Sequence, residues 1–472
     1  MPSALLVFVI LALATACLAS DPLDLGTAAF HKGDFAGAVE HFSAVAKEHP
    51  KDASAQAWLG SSLLRAGRYD EAVASLTKAL SLDPNVPEAE NNLGSAYWGL
   101  NQSKEAVQHY KQAIVLQPHY AVPHYNLGTI YLALEDLDHA VGEFSAAVEL
   151  DPENADAFNN LGVANERRGN SAEAITAYRK AVGLKPDNTS FRLNLATALR
   201  AAGRSDEALE QLSRLAGATK DPAAYVNLGL IRYDRKEYAL ARAAFRQAVA
   251  LDDSNPTAYY DLGLCAKQLG ARPEAKEAFA KAAELNPGSI SAHINLGAME
   301  LDDGNAEAAA REFAQAIKVA PDSYAAAFNL GLAYVRLGSE DDAIRVWSAL
   351  GQKSPDDAAV REALAATYFR LHRYDDAKRE YEVLLKLRPK DVVAHNNLGI
   401  ICEEFGQLDQ AATEYKTALE IDPKYAPAHN NLGVVYERQG KRDEAIAEYR
   451  AALAADPELN DAKRNLGRLA PE

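Results

Sequence analysis

Two columns of side chains in this sequence have the types and spacing to do chemistry, one of carboxamides and one of imidazoles. Asn92, Asn126, Asn160, Asn194, Asn227, Asn295, Asn329, Asn397 and Asn431 each stand directly before a Leu-Gly or Leu-Ala pair. A carboxamide carries both donor and acceptor, as a peptide group does, so a regular row of them suits the backbone of an extended polypeptide. Each such bond nets only about 0.5–1.5 kcal/mol, so affinity would build from many and tolerate varied sequences. The same side chains could instead bond to neighbouring backbone as scaffold, and from the residues alone both readings stay open. The column one residue earlier holds Asn91, Asn159, Asn396 and Asn430, but Tyr125, Tyr260 and Phe328 elsewhere, with Leu193, Val226 and Ile294 between. Facing the same way, it would make a groove that is apolar in the middle and more polar where AHNNLG occurs twice, at 394–399 and 428–433.

The imidazoles are His124, His293, His395 and His429, three residues before Leu in the same frame. Neighbouring copies would stand about two helix-packing steps apart, each about 8–10 Å. A shared metal needs both nitrogens at about 2 Å, so the column is expected at a groove edge rather than around an ion. Cys265 and Cys402 are far apart and show no CxxC or Cys/His spacing, which leaves them as small apolar residues of the interior. No P-loop, GxGxxG, HExxH, EF-hand or GxSxG stretch occurs. No catalytic activity, cofactor or metal is therefore expected. The formal charge of −17 argues against a nucleic acid as partner, because phosphate backbones demand a basic surface.

What positions these columns is a repeat. Aligned on Leu-Gly, a small residue recurs from Gly26 through Gly60, Gly94 and onward to Gly433, every 34 residues except from Ala196 to Gly229. Twelve residues after each stands Ala, and four further on an aromatic in eleven of thirteen copies, such as Phe42, Tyr110, Trp347 and Tyr449. Pro closes eleven copies. Each copy holds two apolar stripes of helical period, with Gly supplying the left-handed residue between them and Pro stopping the second. The small residues let helices approach, and the aromatic is expected to fill the space between neighbouring units. Short helix pairs bury too little alone, so stability must come from stacking.

These columns resemble those of the tetratricopeptide repeat family. The resemblance implies an all-α, right-handed α-solenoid superhelix of about thirteen helix pairs, with first helices lining a concave groove. On this frame the repeats begin at residues 21, 53, 87, 121, 155, 189, 222, 256, 290, 324, 358, 392 and 426, fill 21–459, and are followed by a capping helix and tail over 460–472. The Asn column is also similar to a ladder in the repeats of O-linked N-acetylglucosamine transferase, whose catalytic half has no counterpart here. The clamp for chaperone C-termini is not matched: its Lys is missing from the column of Tyr125 and Asn396, and Thr129, Ile400 and Val434 stand where it carries Asn. Repeat six is one residue short and has Leu212 for the aromatic, while repeat eleven has Ala363 and Ala365. Alanines 363, 365 and 366 are expected to accommodate Leu350, and the seams near Gly217 and Gly351 to act as hinges.

Residues 1–20 carry no charged side chain, and the apolar run from Leu5 to Leu13 followed by small residues reads as a signal segment. It admits cleavage, lipidation at Cys17 within Ala14-Thr15-Ala16-Cys17, or retention as an anchor. The expectation is an exported scaffold, periplasmic or secreted or held at a membrane by lipid, whose groove binds a protein or peptide. The alternatives are an accessory subunit of a cell-envelope polysaccharide export or assembly machine and, less favoured, a glycosyltransferase-associated or enzymatic role.

Overall fold

The computed structural model describes residues 22–470, so the expected signal segment and Cys17 lie outside the described residues. The described residues form an all-α chain of helix pairs, from Pro22–His31 with Phe35–Glu48 to Ala426–Arg438 with Arg442–Ala455, and then the helix Asn460–Leu469. They divide into two compact units, one ending at Leu251 and one starting at Asp252. The first holds seven pairs, and the second holds six pairs and the final helix.

Local chemistry accounts for the helix ends. Asp52, Asn188, Asn255, Ser289, Asp357 and Asp391 accept hydrogen bonds from backbone N–H groups of the first turns they precede. Every turn inside a pair places one residue in the left-handed region. It is Gly in nine pairs, but Asn101, Glu135, Lys236 and His372 in the others. Side chains pay a steric penalty there that Gly avoids.

Each aromatic lies on the small residue sixteen positions before it, inside its own pair rather than between neighbouring pairs as expected. A Cβ on Gly433 would stand 2.6 Å from Tyr449, and one on Gly229 would stand 2.6 Å from Phe245. Both rings are fully buried. Where Ala196 replaces Gly, the opposing residue is the slimmer Leu212, buried in the same cluster. The Tyr hydroxyls find partners within the fold: Tyr178 donates to Glu166, Tyr415 to Glu403 and Tyr449 to Glu437, at 2.7–3.1 Å. Glu thus stands twelve residues before Tyr in three pairs, while Phe takes the position in five pairs that lack that Glu. The reason is the cost of a buried hydroxyl without a partner.

The two seams are not breaks. Gly217 lies within the unbroken helix Ser205–Thr219, and Gly351 is buried within Glu340–Lys353. The missing residue of the sixth copy is absorbed by Lys220, which ends a longer second helix at φ 51° and leads directly into the cap Asp221. Leu350 packs with Val360, Leu364 and Ala363, whereas Ala365 sits in a different cluster, against Tyr381.

Candidate functional site: the inner face of the first helices

Within each unit neighbouring first helices approach one another, as Ala53–Arg65 does Pro87–Gly99, and Val392–Glu404 does Ala426–Arg438. The two asparagine columns meet at these approaches. One step along a helix turns a side chain by about 100°, so adjacent residues of a doublet have different surroundings. The residue next to Leu is half-buried in all nine copies. The residue before it is buried where it is Asn91, Asn396 or Asn430, with 4–8 % of its surface exposed. These three were expected to line an open groove, and they lie between helices instead.

Burial is tolerated because the carboxamides satisfy one another. In the first unit Asn126 Nδ2 donates to Asn91 Oδ1 at 3.0 Å, Asn194 to Asn159 Oδ1 at 2.9 Å, and Asn160 to the Tyr125 hydroxyl at 3.2 Å. Asn92, whose predecessor copy offers only Ala57, turns to Ser61 Oγ at 2.8 Å. In the second unit a relay runs from Asn465 to Asn430, on to Asn431, then Asn396, Asn397 and the Tyr381 hydroxyl, in steps of 2.9–3.4 Å. Where the preceding copy presents an apolar residue, this bond cannot form. Asn227 then folds back on its own Ala223 carbonyl at 2.9 Å, and Asn329 makes no side-chain hydrogen bond among the described residues. Asn295, whose predecessor copy offers Tyr260, bonds its own Ser291 carbonyl instead and accepts from Lys267.

The aromatic groove residues stay half-buried. Tyr125 lies edge-on to Phe144, Tyr260 tilts against Phe279, and Phe328 stacks on Tyr324. Burial, then the charge of Asp156, raises the Tyr125 phenol above its ordinary value, so it stays a neutral hydroxyl that accepts from Asn160.

The histidines are not at an edge. Nδ1 of His124, His293, His395 and His429 stands 2.6–2.7 Å from Glu143, Glu312, Glu414 and Glu448, each nineteen residues on in the second helix. Nε2 of the last three faces the carbonyl of Pro287, Pro389 or Pro423 at 3.1–3.2 Å. Arg361 occupies the column with the same partners, Glu380 and the Pro355 carbonyl, and Glu90 with His109 reverses the polarity. The column is therefore a latch tying the first helix to the second and to the preceding loop. The spacing of nineteen was legible in the sequence as His or Arg opposite Glu, and the column was read without it.

A feature the sequence did not single out lies in the first unit. A cavity of about 480 Å³ opens between the helices Ala53–Arg65 and Pro87–Gly99, with Phe30, Trp58, Val86 and Tyr120 as its large apolar walls. Ser61 and Asn92 form a polar side, and Asp83 and Glu88 stand at its rim. Trp58 occupies the Asn column, which hid it from a reading based on carboxamides. Burial, then the charge of Glu88, raises the Tyr120 phenol.

Repeat families match most of the chain. Residues 11–254 match the family described as cilia and flagella-associated protein 70 C-terminal domain. Tetratricopeptide repeat families match at 256–289 and 426–459, at 294–358 and at 401–440. No curated protein is matched. Among solved structures, MamA is 29% identical over 35% of this chain and 91% of its own, with a TM-score of 0.32. A thermophilic repeat protein of Thermus thermophilus is 26% identical over 38% and 97%, with a TM-score of 0.33. The heterotetramer Cut9-Hcn1 is 15% identical over 97% and 98%, with a TM-score of 0.37.

Proposed function

Because this chain belongs to the tetratricopeptide repeat family, whose repeats serve as protein–protein interaction scaffolds, we propose that the inner faces of its first helices bind extended polypeptide. One observation carries the reading. Asn227 and Asn329 are half-buried beside apolar neighbours, tie no helix to another, and keep a donor and the carbonyl oxygen unengaged. A carboxamide with both groups available pairs with a peptide unit, and apolar side chains beside it accept the peptide's own. The asparagines that bridge helices have spent one donor on the fold and contribute less to a ligand. The apolar run over Leu5–Leu13 supports an exported location. N-terminal sequencing of the mature protein tests that part, and an intact Met1 on a soluble, unprocessed chain would count against it.

Binding is tested by screening the full chain against an array of unstructured peptides and then measuring affinities for Asn227→Ala and Asn329→Ala. Each lost bond should weaken binding by about two- to tenfold. Melting should stay unchanged, since neither side chain bridges helices. Unaltered affinity in both variants would refute the reading.

A further inference from the structure

We propose that the cavity at Trp58 is a subsite for a bulky apolar side chain followed by Lys or Arg in the bound polypeptide. This rests on the inner face being a polypeptide-binding surface and adds the chemistry of its occupant. Three features converge on it.

The space is held open. Trp58 meets Phe30 edge to face at 5.4 Å between centroids and stacks on Phe42 at 5.5 Å, so the indole is braced on two sides. Small residues share the lining, Ala53, Ala57 and Ala89, and in the column of Ala57 the other copies carry larger side chains, from Asn91 and Tyr125 to Asn430. The volume of about 480 Å³ falls in the range of about 300–1,000 Å³ typical of ligand pockets, which are mostly apolar with few polar groups.

The rim is acidic and uncompensated. Asp83 and Glu88 are exposed and pair with no cation among the described residues, although Asp83 accepts the backbone N–H of Asn85 at 3.0 Å. Some other exposed carboxylates of the first unit carry ion pairs, as Glu135 does with Arg167 and Asp156 with Lys185. A cation next to the buried side chain would meet two carboxylates.

A polar wall adjoins the apolar floor. Ser61 and Asn92 are bonded to each other at 2.8 Å, and the second Nδ2 proton of Asn92 remains for the peptide backbone entering the pocket.

The test uses fluorescein-labelled Ser/Gly peptides carrying a central Phe-Lys-Lys, Ala-Lys-Lys or Phe-Glu-Glu, titrated into the full chain and followed by anisotropy. Phe-Lys-Lys should bind at least about tenfold more tightly than Ala-Lys-Lys, the worth of burying one large apolar side chain. Ala57→Leu, a helix-compatible change that fills the cavity, should remove that advantage. Asp83→Lys with Glu88→Lys, both exposed, should reverse the preference between Phe-Lys-Lys and Phe-Glu-Glu, more strongly at low salt. A Phe-Lys-Lys peptide that binds all three proteins equally but weakens on Asn227→Ala would overturn the subsite and leave the inner-face reading standing. Absence of binding by every peptide to every form overturns both. Self-association of the full chain that Ala57→Leu abolishes, with no peptide bound, overturns the proposal in favour of a second copy as occupant.

Discussion

Replacing Asn431 by Ala separates a carboxamide that holds the protein together from one that is free for the proposed ligand. Asn431 donates to Asn396 Oδ1 at 3.0 Å and accepts from Asn430 Nδ2 at 3.3 Å. Asn396 is 4 % exposed, so water cannot replace the lost donor freely. A hydrogen bond nets about 0.5–1.5 kcal/mol, and a buried acceptor left without a partner costs about 1–3 kcal/mol. The 3.3 Å bond is long and adds little. The expected loss is therefore about 1–2 kcal/mol. Removing the stranded acceptor as well should recover part of it. Asn396→Leu combined with Asn431→Ala is expected to cost less than the two single changes summed, with a coupling of about 1 kcal/mol.

Repeat arrays unfold in parts, so a single melting temperature is a blunt measure. Amide hydrogen exchange in the helices Val392–Glu404 and Ala426–Arg438 reads the local opening free energy directly. Protection there should fall in Asn431→Ala, recover in the double variant, and stay as in the parent in Asn227→Ala, whose side chain bonds only its own helix. Unchanged protection in Asn431→Ala together with lost peptide binding would refute the reasoning, because the carboxamide would then serve the ligand and not the stack.

Other perturbations follow from the same contacts. Lys236 holds φ 60° at a turn where nine pairs use Gly, so Lys236→Gly should raise stability by up to about 1 kcal/mol, seen as a higher denaturation midpoint of the first unit. Gly433→Ala gains about 1 kcal/mol of helix propensity but sets a Cβ 2.6 Å from the Tyr449 ring, and overpacking costs about 1–3 kcal/mol, so a net loss is expected. Adding Tyr449→Leu should ease it, as Leu212 does opposite Ala196, and circular dichroism melts of both variants check this. Burial pushes the Tyr110 phenol up to about 12 against a hydrogen bond with Ser95 that lowers it. Its folded value is raised above that of the unfolded chain, so its contribution is complete below pH about 10 and fades as pH rises toward 12. The tyrosinate absorbance of Tyr110, taken as the difference between the parent and Tyr110→Phe, should appear only as helicity is lost, and its ionisation at pH 10 in the folded protein would contradict the burial.

Much of this molecule was readable without coordinates. Helix starts and turns depend on residues close in sequence, and so does the pairing of Gly with an aromatic sixteen residues later, although that aromatic was expected between neighbouring units. Caps, left-handed turns and 3.6-residue periodicity are local properties, and the chain repeats them thirteen times. The tyrosine–glutamate spacing of twelve and the histidine–glutamate spacing of nineteen were equally present, because both act within one helix pair.

What the sequence could not decide is which hydrogen-bonding groups remain free. The bonds from Asn126 to Asn91 and from Asn431 to Asn396 span thirty-five residues and depend on how closely two first helices approach. One residue step rotates a side chain from the half-buried face into the interface, so the two letters of each Asn-Asn doublet play different parts. The cavity beside Trp58 has the same origin, since alanines on separate helices leave a void only once those helices are placed side by side. Local chemistry determined the helices and their order, and the distances between helices decided which carboxamides tie helices together and which keep their groups unengaged.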